Sequence, residues 1–270
     1  MSEQAEPVQT HERIATLDAI RGVALLGVFI MNMPFFSSSF FAGADGVDLW
    51  PQWWNRAAEV GRDVLFSGKF NSMFSMLFAI GFTIQLGRLE ESQPERATLI
   101  YLRRILWLFL FGIAHACVLW TGDILHMYAL FGFALLGLRK LSDRTLIALI
   151  VVCLLYPAIG GAIRMATFDS HELDRLQALD QTWLAIDNEI FGHGTFAQAM
   201  RHNTQTMAFL YGNTSSRWEL SAGYVQILTT MTLGLLLGRH RFFQNVSAHL
   251  PLVRRLQWQS LVLGLACGAV

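Results

Sequence analysis

The sequence predicts an all-α fold: a polytopic transmembrane helix bundle of about seven spans, with an amphipathic helical segment outside the membrane. Three observations predict it. More than half of the 270 residues are hydrophobic (53%), and only 15% are charged, where a soluble domain carries about 25%. The charge gathers in short stretches between long windows that nearly lack it. Those windows approach the roughly 20 apolar residues that a helix needs to cross a bilayer. The first implied partner is therefore the lipid bilayer. With 20 basic and 20 acidic residues and no basic cluster, nothing in the chain points to nucleic acid as a partner.

The elements follow in order. Residues 1–18 are polar and mixed in charge, without the n-region or cleavage site of a secretory signal, and read as a cytoplasmic N-terminal segment. Residues 19–163 hold spans one to five, near 19–37, 70–87, 104–120, 124–138 and 145–163. Residues 164–219 are too long for a connector. There Leu173, Leu176, Leu179, Trp183, Ile186 and Ile190 recur at helical spacing opposite Asp and Glu. "GHG" at 192–194 breaks that helix, and Thr195 is placed to cap a second one bearing Phe196, Met200, Met207 and Leu210. The pair reads as amphipathic helices on the membrane surface, either a packed cap or a moving lid. Residues 220–270 hold spans six and seven, near 220–238 and 257–270. The last stops within "LVLGLACGAV" without a polar flank, which reads as a chain cut short at its C-terminus.

The basic residues orient the bundle. Arg88, Arg96, Arg103 and Arg104 flank loop two to three, Arg139, Lys140 and Arg144 loop four to five, and Arg239, Arg241, Arg254 and Arg255 loop six to seven. The intervening loops are poorer in Lys and Arg. This alternation predicts a cytoplasmic N-terminus, with Trp50, Trp53, Trp54, Trp120 and Trp218 near the outer boundary. Cys117, Cys153 and Cys267 fall inside apolar windows without metal-site or disulfide spacing and read as packing residues. Gly234 with Gly238, and Gly264 with Gly268, form small-xxx-small patterns that let helices approach closely. A homo-oligomer stays open. Ser67, Asn71 and Ser75 fall on one helical face, either bonding a neighbouring helix or lining a wet cavity. Asp18 and Arg21 are spaced to pair.

The chemistry concentrates in "GIAHACVLWTGDILHMYALFGF", residues 112–133. Gly122 turns the chain between spans three and four, which puts His115 and His126 at similar depth with Asp123 above them. Titratable groups at membrane depth are costly, so each needs a reason to be there. Asp123 is placed to cap span four, or to orient an imidazole and stabilise its charged form. His126 fits a structural hydrogen bond. His115 has no capping role and is the leading candidate for chemistry. No metal site is expected from the three.

"RIATLDAIRGVALLGVFIMNM", "FSGKFNSMFSMLFAIGFTIQLGR" and "RRILWLFLFGIAHACVLWTGDILHMYAL" resemble the YeiB-like bacterial membrane proteins. The most specific parts are Leu17, Asp18, Arg21 and Gly22, the "RR…G..H" segment and "GDIL..YAL". In that family His126 falls at a variable motif position, which leaves His115 and Asp123 ahead. The N-terminal pattern is similar to transmembrane acyltransferases of the heparan-α-glucosaminide N-acetyltransferase type. That resemblance implies transfer of an acyl group from cytoplasmic acyl-CoA to an extracytoplasmic glycan or small-molecule acceptor through a membrane-embedded histidine. His115 and Asp123 would be the catalytic pair. Arg103 and Arg104, with Arg21, would hold the CoA phosphates, or serve only as positive-inside anchors. The alternative is a transporter or proton-coupled permease with His115 in a polar pathway.

Overall fold

A computed structural model describes residues 15–39, 41–42, 51–167, 169–212, 214–244 and 246–268. Side chains at 15–16, 37, 172–173, 214–220, 244, 246–249 and 265–268 lie outside that description. The described residues form helices and no strand: α1 (Ala15–Ser37), α2 (Trp53–Phe66), α3 (Lys69–Ser92), α4 (Ala97–Val118), α5 (Leu125–Leu138), α6 (Asp143–Ala166), α7 (Ser170–His193), α8 (Phe196–Gly212), α9 (Thr214–Arg239) and α10 (Val246–Gly268).

Five stretches among them are long and apolar enough to cross a membrane: Leu17–Phe36, Trp53–Ser92, Ala97–Val118, Asp143–Ala166 and Ser221–Arg239. They coincide with five of the seven expected windows. The fourth window is α5, whose 14 residues reach about 21 Å, short of the roughly 30 Å hydrocarbon core. The seventh window lies in α10 and runs past the described residues. The stretch from Trp53 to Ser92 is two helices, because Gly68 adopts a left-handed φ of 68° that side-chain-bearing residues seldom take. That turn also breaks the expected Ser67–Asn71–Ser75 stripe: Ser67 ends α2, and only Asn71 and Ser75 lie on α3.

The helices run alternately between two ends of the bundle. At one end the ion pairs Arg139–Glu90 and Arg239–Asp143 tie α5, α3, α9 and α6 together, and Arg239 also donates to the Arg139 carbonyl (2.8 Å). This arginine-rich end also holds the start of α1, where Arg21 pairs with Asp18 at 3.1 Å. The other end is the turn between α4 and α5, the hairpin end. Phe36 at the end of α1 packs there on Trp120, with ring centroids 5.1 Å apart.

Lipid tails are as apolar as leucine, so fit rather than water exclusion holds such helices together. α9 lies along α3, with Gly234 against the Met76 carbonyl and Gly238 against Thr83. Gly264, by contrast, faces open space. Between α3, α4 and α5 the core is aromatic: Phe82 meets Tyr101 at 4.8 Å, and Tyr101 donates to the Gly132 carbonyl at 3.2 Å. Tyr128 sits between Phe74 and Phe78, its hydroxyl 2.8 Å from Ser75 Oγ. Cys153 is buried and Cys117 half-buried, both as free thiols; Cys267 lies outside the described side chains.

Gly234→Leu drives a branched side chain into the α3 backbone and is expected to cost about 1–3 kcal/mol, read as a lower unfolding temperature in detergent. Gly137→Ala, where a new methyl meets open space, leaves that temperature unchanged or slightly raised.

Candidate functional site

The site is assembled by the α4–α5 hairpin and closed by α8. Gly112, one turn before His115, lies against the backbone of Leu125 and His126, where any Cβ would collide. That close approach fixes the start of α5 beside the end of α4 and brings three side chains from the two strands of the hairpin together.

Asp123 is the hub. Its side chain is only 3% exposed, that of His126 is 6% and that of His115 38%. One carboxylate oxygen, Oδ2, lies 3.2 Å from His126 Nδ1, and Oδ1 lies 3.4 Å from His115 Nδ1. The carboxylate also accepts from the backbone N–H of Leu125 (3.0 Å) and, more weakly, of His126 (3.4 Å). Asp123 thus caps α5, as its position predicts, and orients an imidazole as well. A carboxylate buried without such partners would cost several kcal/mol. The contact with His115 is off the hydrogen-bond line, and its shielded Nδ1 has no hydrogen-bond partner.

His126 is held from both sides. Its Nε2 lies 2.6 Å from the hydroxyl of Tyr211 on α8. With the Nδ1 proton given to Asp123, Nε2 is the lone-pair nitrogen and Tyr211 donates to it. The Met127 sulfur, 3.4 Å from the same hydroxyl, is the weaker acceptor. Burial pushes the Tyr211 phenol above its usual value and the Asp123 charge adds to this; the phenol keeps its proton.

A cavity of about 470 Å³ opens beside this group. Asp123 and His126 line it from α5 and the turn before it, and Asn71, Ser72 and Ser75 from α3. Tyr211 lines it from α8, Tyr224 and Gln226 from α9, and Arg164 from the end of α6. His115 is not among the lining residues. The geometry therefore gives His126, discounted on the sequence, the direct exposure to the cavity, with His115 behind the shared carboxylate.

The cap owes its position to polar groups that hydropathy does not register. Thr195 and Gln198 form a reciprocal capping box that starts α8, Gln198 Oε1 accepting from Thr195 N at 2.7 Å and Thr195 Oγ1 from Gln198 N at 3.3 Å. The buried residues of α8 are His202, Asn203, Thr206 and Met207, whereas Phe196 is exposed. Thr121 in the hairpin turn donates to Asn203 at 3.1 Å. His202 Nε2 lies 2.5 Å from Asp187 of α7, and Ser39 beyond α1 donates to the same carboxylate. Trp183 stacks beside His202 and Phe209. These bonds make α7 and α8 a docked cap.

The arginines lie elsewhere. Arg103 and Arg104 are exposed in the first third of α4, with Arg104 eleven residues before His115, or about 16 Å of helical rise. Arg21 lies across Gly81 of α3, one residue from Phe82 and so near the level of Tyr101. No hydrogen bond or ion pair among the described residues joins Arg21 to either α4 arginine, and no metal-binding cluster is found among them. Trp53, Trp54 and Trp120 lie at the hairpin end; Trp50 and the Trp218 side chain fall outside the described residues.

The chain is similar to several bacterial proteins. It is 29% identical over 271 residues to the uncharacterized protein YxaH of Bacillus subtilis, covering 96% of this chain and 66% of YxaH. It is 31% identical over 159 residues to an uncharacterized 39.9 kDa protein from the amylase 3′ region of Bacillus acidopullulyticus, covering 58% of this chain and 43% of that protein. To the uncharacterized protein YeiB of Escherichia coli it is 32% identical over 127 residues, covering 45% of this chain and 30% of YeiB. The chain thus spans at most about two thirds of the length of these relatives. No family model and no solved structure matches. The YeiB resemblance in the sequence is supported by these identities, and none of the names carries an activity.

If Asp123 is both cap and hub, its replacements separate the two parts. Asp123→Ala is expected to lose the cap, about 0.5–2 kcal/mol, and to leave His126 Nδ1 unpaired at about 1–3 kcal/mol more. Asp123→Asn keeps an acceptor oxygen and loses less. Thermal unfolding in detergent reads the order; equal losses would mean that the carboxylate oxygens are not what holds the hairpin. Tyr211→Phe should cost about 1 kcal/mol.

Proposed function

We propose that this chain belongs to a membrane-embedded acyltransferase that passes an acyl group from cytoplasmic acyl-CoA to an extracytoplasmic acceptor. The observation that carries the reading is the Asp123–His126 pair at the cavity wall, with Nε2 already bonded to a hydroxyl. Carboxylate, imidazole and hydroxyl in this order make the arrangement that activates a hydroxyl for acyl transfer.

In this reading an acceptor hydroxyl or amine takes the place of the Tyr211 hydroxyl on Nε2. It gives its proton to Nε2 as its oxygen or nitrogen attacks the thioester carbonyl. The C–S bond breaks, and the departing thiolate takes the proton from the imidazolium. Asp123 holds the ring tautomer and stabilises the charged ring. His115, on the other oxygen of the same carboxylate, is a positioning partner or a second base. Arg103 and Arg104, with Arg21, hold the CoA phosphates at the arginine-rich end, which faces the cytoplasm by the excess of basic residues there. The pantetheine arm would span the rise from Arg104 to His115. The acceptor is a glycan or another small molecule reaching the hairpin end from outside, and the membrane is the bacterial inner membrane.

A proton-coupled carrier is the second reading, favoured by Asn71, Ser72 and Ser75 lining the same cavity. It requires ionisable groups continuing toward the arginine-rich end. Beyond Ser75 the described side chains are instead Phe78, Phe82, Tyr101 and Tyr128, which offer no charged relay for a proton.

Calorimetry of the full chain in detergent with short- and long-chain acyl-CoA tests the proposal. Binding is expected for the wild type, at least about tenfold weaker for Arg103→Ala/Arg104→Ala, since bonds to charged groups are worth about 1.5–3 kcal/mol each. It is expected to persist in His126→Ala, which loses transfer. No heat with any acyl-CoA would rule the transferase out.

A further inference from the structure

α2 has no buried residue at all. At 100° per residue its sequence divides into two sides, except that Phe66 falls among the polar residues, where it stacks on Phe70 of α3. Trp53, Trp54, Ala57, Ala58, Val60, Gly61, Val64 and Leu65 occupy one side, and Asn55, Arg56, Glu59, Arg62 and Asp63 the other. Trp53 is 75% exposed and Val60 57%, and Gly61 faces open space. Trp53, Ala57, Val60 and Val64 line an open groove, with Arg56 of the polar side at its edge. The rest of the protein leaves this face uncovered.

The helix sits where two spans leave the bundle. α1 ends at Ser37, and α3 starts only three residues after α2 ends, through the left-handed Gly68. Lys69 closes the corner by donating to the Val64 carbonyl at 2.6 Å. The adjoining surface of α1 is apolar and exposed at Val23, Leu26, Phe29, Met33 and Phe36, the surface a span turns to lipid tails. The apolar side of α2 carries two tryptophans, the residue type that favours the headgroup zone. The polar side carries Arg62 beside Asp63 (2.9 Å), groups suited to water and headgroups.

Taking the bundle as membrane-spanning, we infer that α2 is an interfacial helix, lying in the membrane plane at the hairpin end with its tryptophan side in the headgroup–acyl boundary. The occupant of the groove is lipid. The helix fixes the depth of that end, so the mouth of the cavity lies at the membrane surface rather than within the hydrocarbon.

The test uses the full chain with Cys117, Cys153 and Cys267 replaced by alanine, reconstituted in phosphatidylcholine–phosphatidylglycerol vesicles. An environment-sensitive fluorophore is attached to Ala57→Cys, Val60→Cys or Val64→Cys, or to Asn55→Cys, Glu59→Cys or Asp63→Cys. The first group should be quenched at least about twofold by brominated acyl chains, and the second by aqueous iodide. Iodide reaching both groups alike would overturn the inference. So would labels at 57, 60 and 64 shielded from both quenchers, because a protein would then cover the face. Bromine quenching of the native tryptophans gives a second readout without cysteine changes: Trp53→Phe/Trp54→Phe should remove part of it, and an unchanged quenched share would count equally against the proposal.

Discussion

A carboxylate buried at the end of a membrane bundle has to be surrounded by donors, and most of what distinguishes the hairpin end follows from meeting that demand at Asp123. The free amides at the start of α5 supply part of the compensation and the His126 imidazole supplies another, with the His115 ring close by but off the hydrogen-bond line. Such groups must be brought within hydrogen-bond reach, which is why Gly112 lets the two helices touch. Low dielectric raises the value of each of these bonds and the penalty for omitting one.

The demand passes outward along the chain of bonds. His126, oriented by Asp123, leaves its second nitrogen needing a donor, and Tyr211 provides it from α8. Tyr211 can do so only if α8 is held over the turn. Asn203 on Thr121, and His202 on Asp187, hold it there. A segment of modest hydrophobicity therefore docks on a membrane bundle through buried polar pairs. The cavity lies between this cap and the spans, which makes it accessible from one end while its floor is aromatic core.

The rest of the bundle obeys a different rule. Where lipid is the solvent, small residues and aromatic rings supply contact area, as Gly234 and Gly238 do between α3 and α9. Hydroxyls of Ser75, Thr229 and Thr232 return to carbonyls of their own helices, so these three are satisfied locally. The exposed apolar sides of α1, α2 and α6 are what such a bundle presents to its surroundings.

Hydropathy and charge spacing determined the all-helical class, five stretches long and apolar enough to cross a membrane, and the excess of arginine toward one end, because each of these is a property of consecutive residues. Gly122 between two apolar runs likewise determined the hairpin and the meeting of His115 with Asp123. The tertiary structure decided what depends on direction. It turned His126 rather than His115 to the cavity, since helix rotation is set by packing at Gly112. It broke the Ser67–Asn71–Ser75 stripe at a left-handed glycine. It chose Tyr211 as the partner of His126 across 85 positions, a pairing that leaves no trace in local periodicity because the two residues meet only when α8 folds back over the turn.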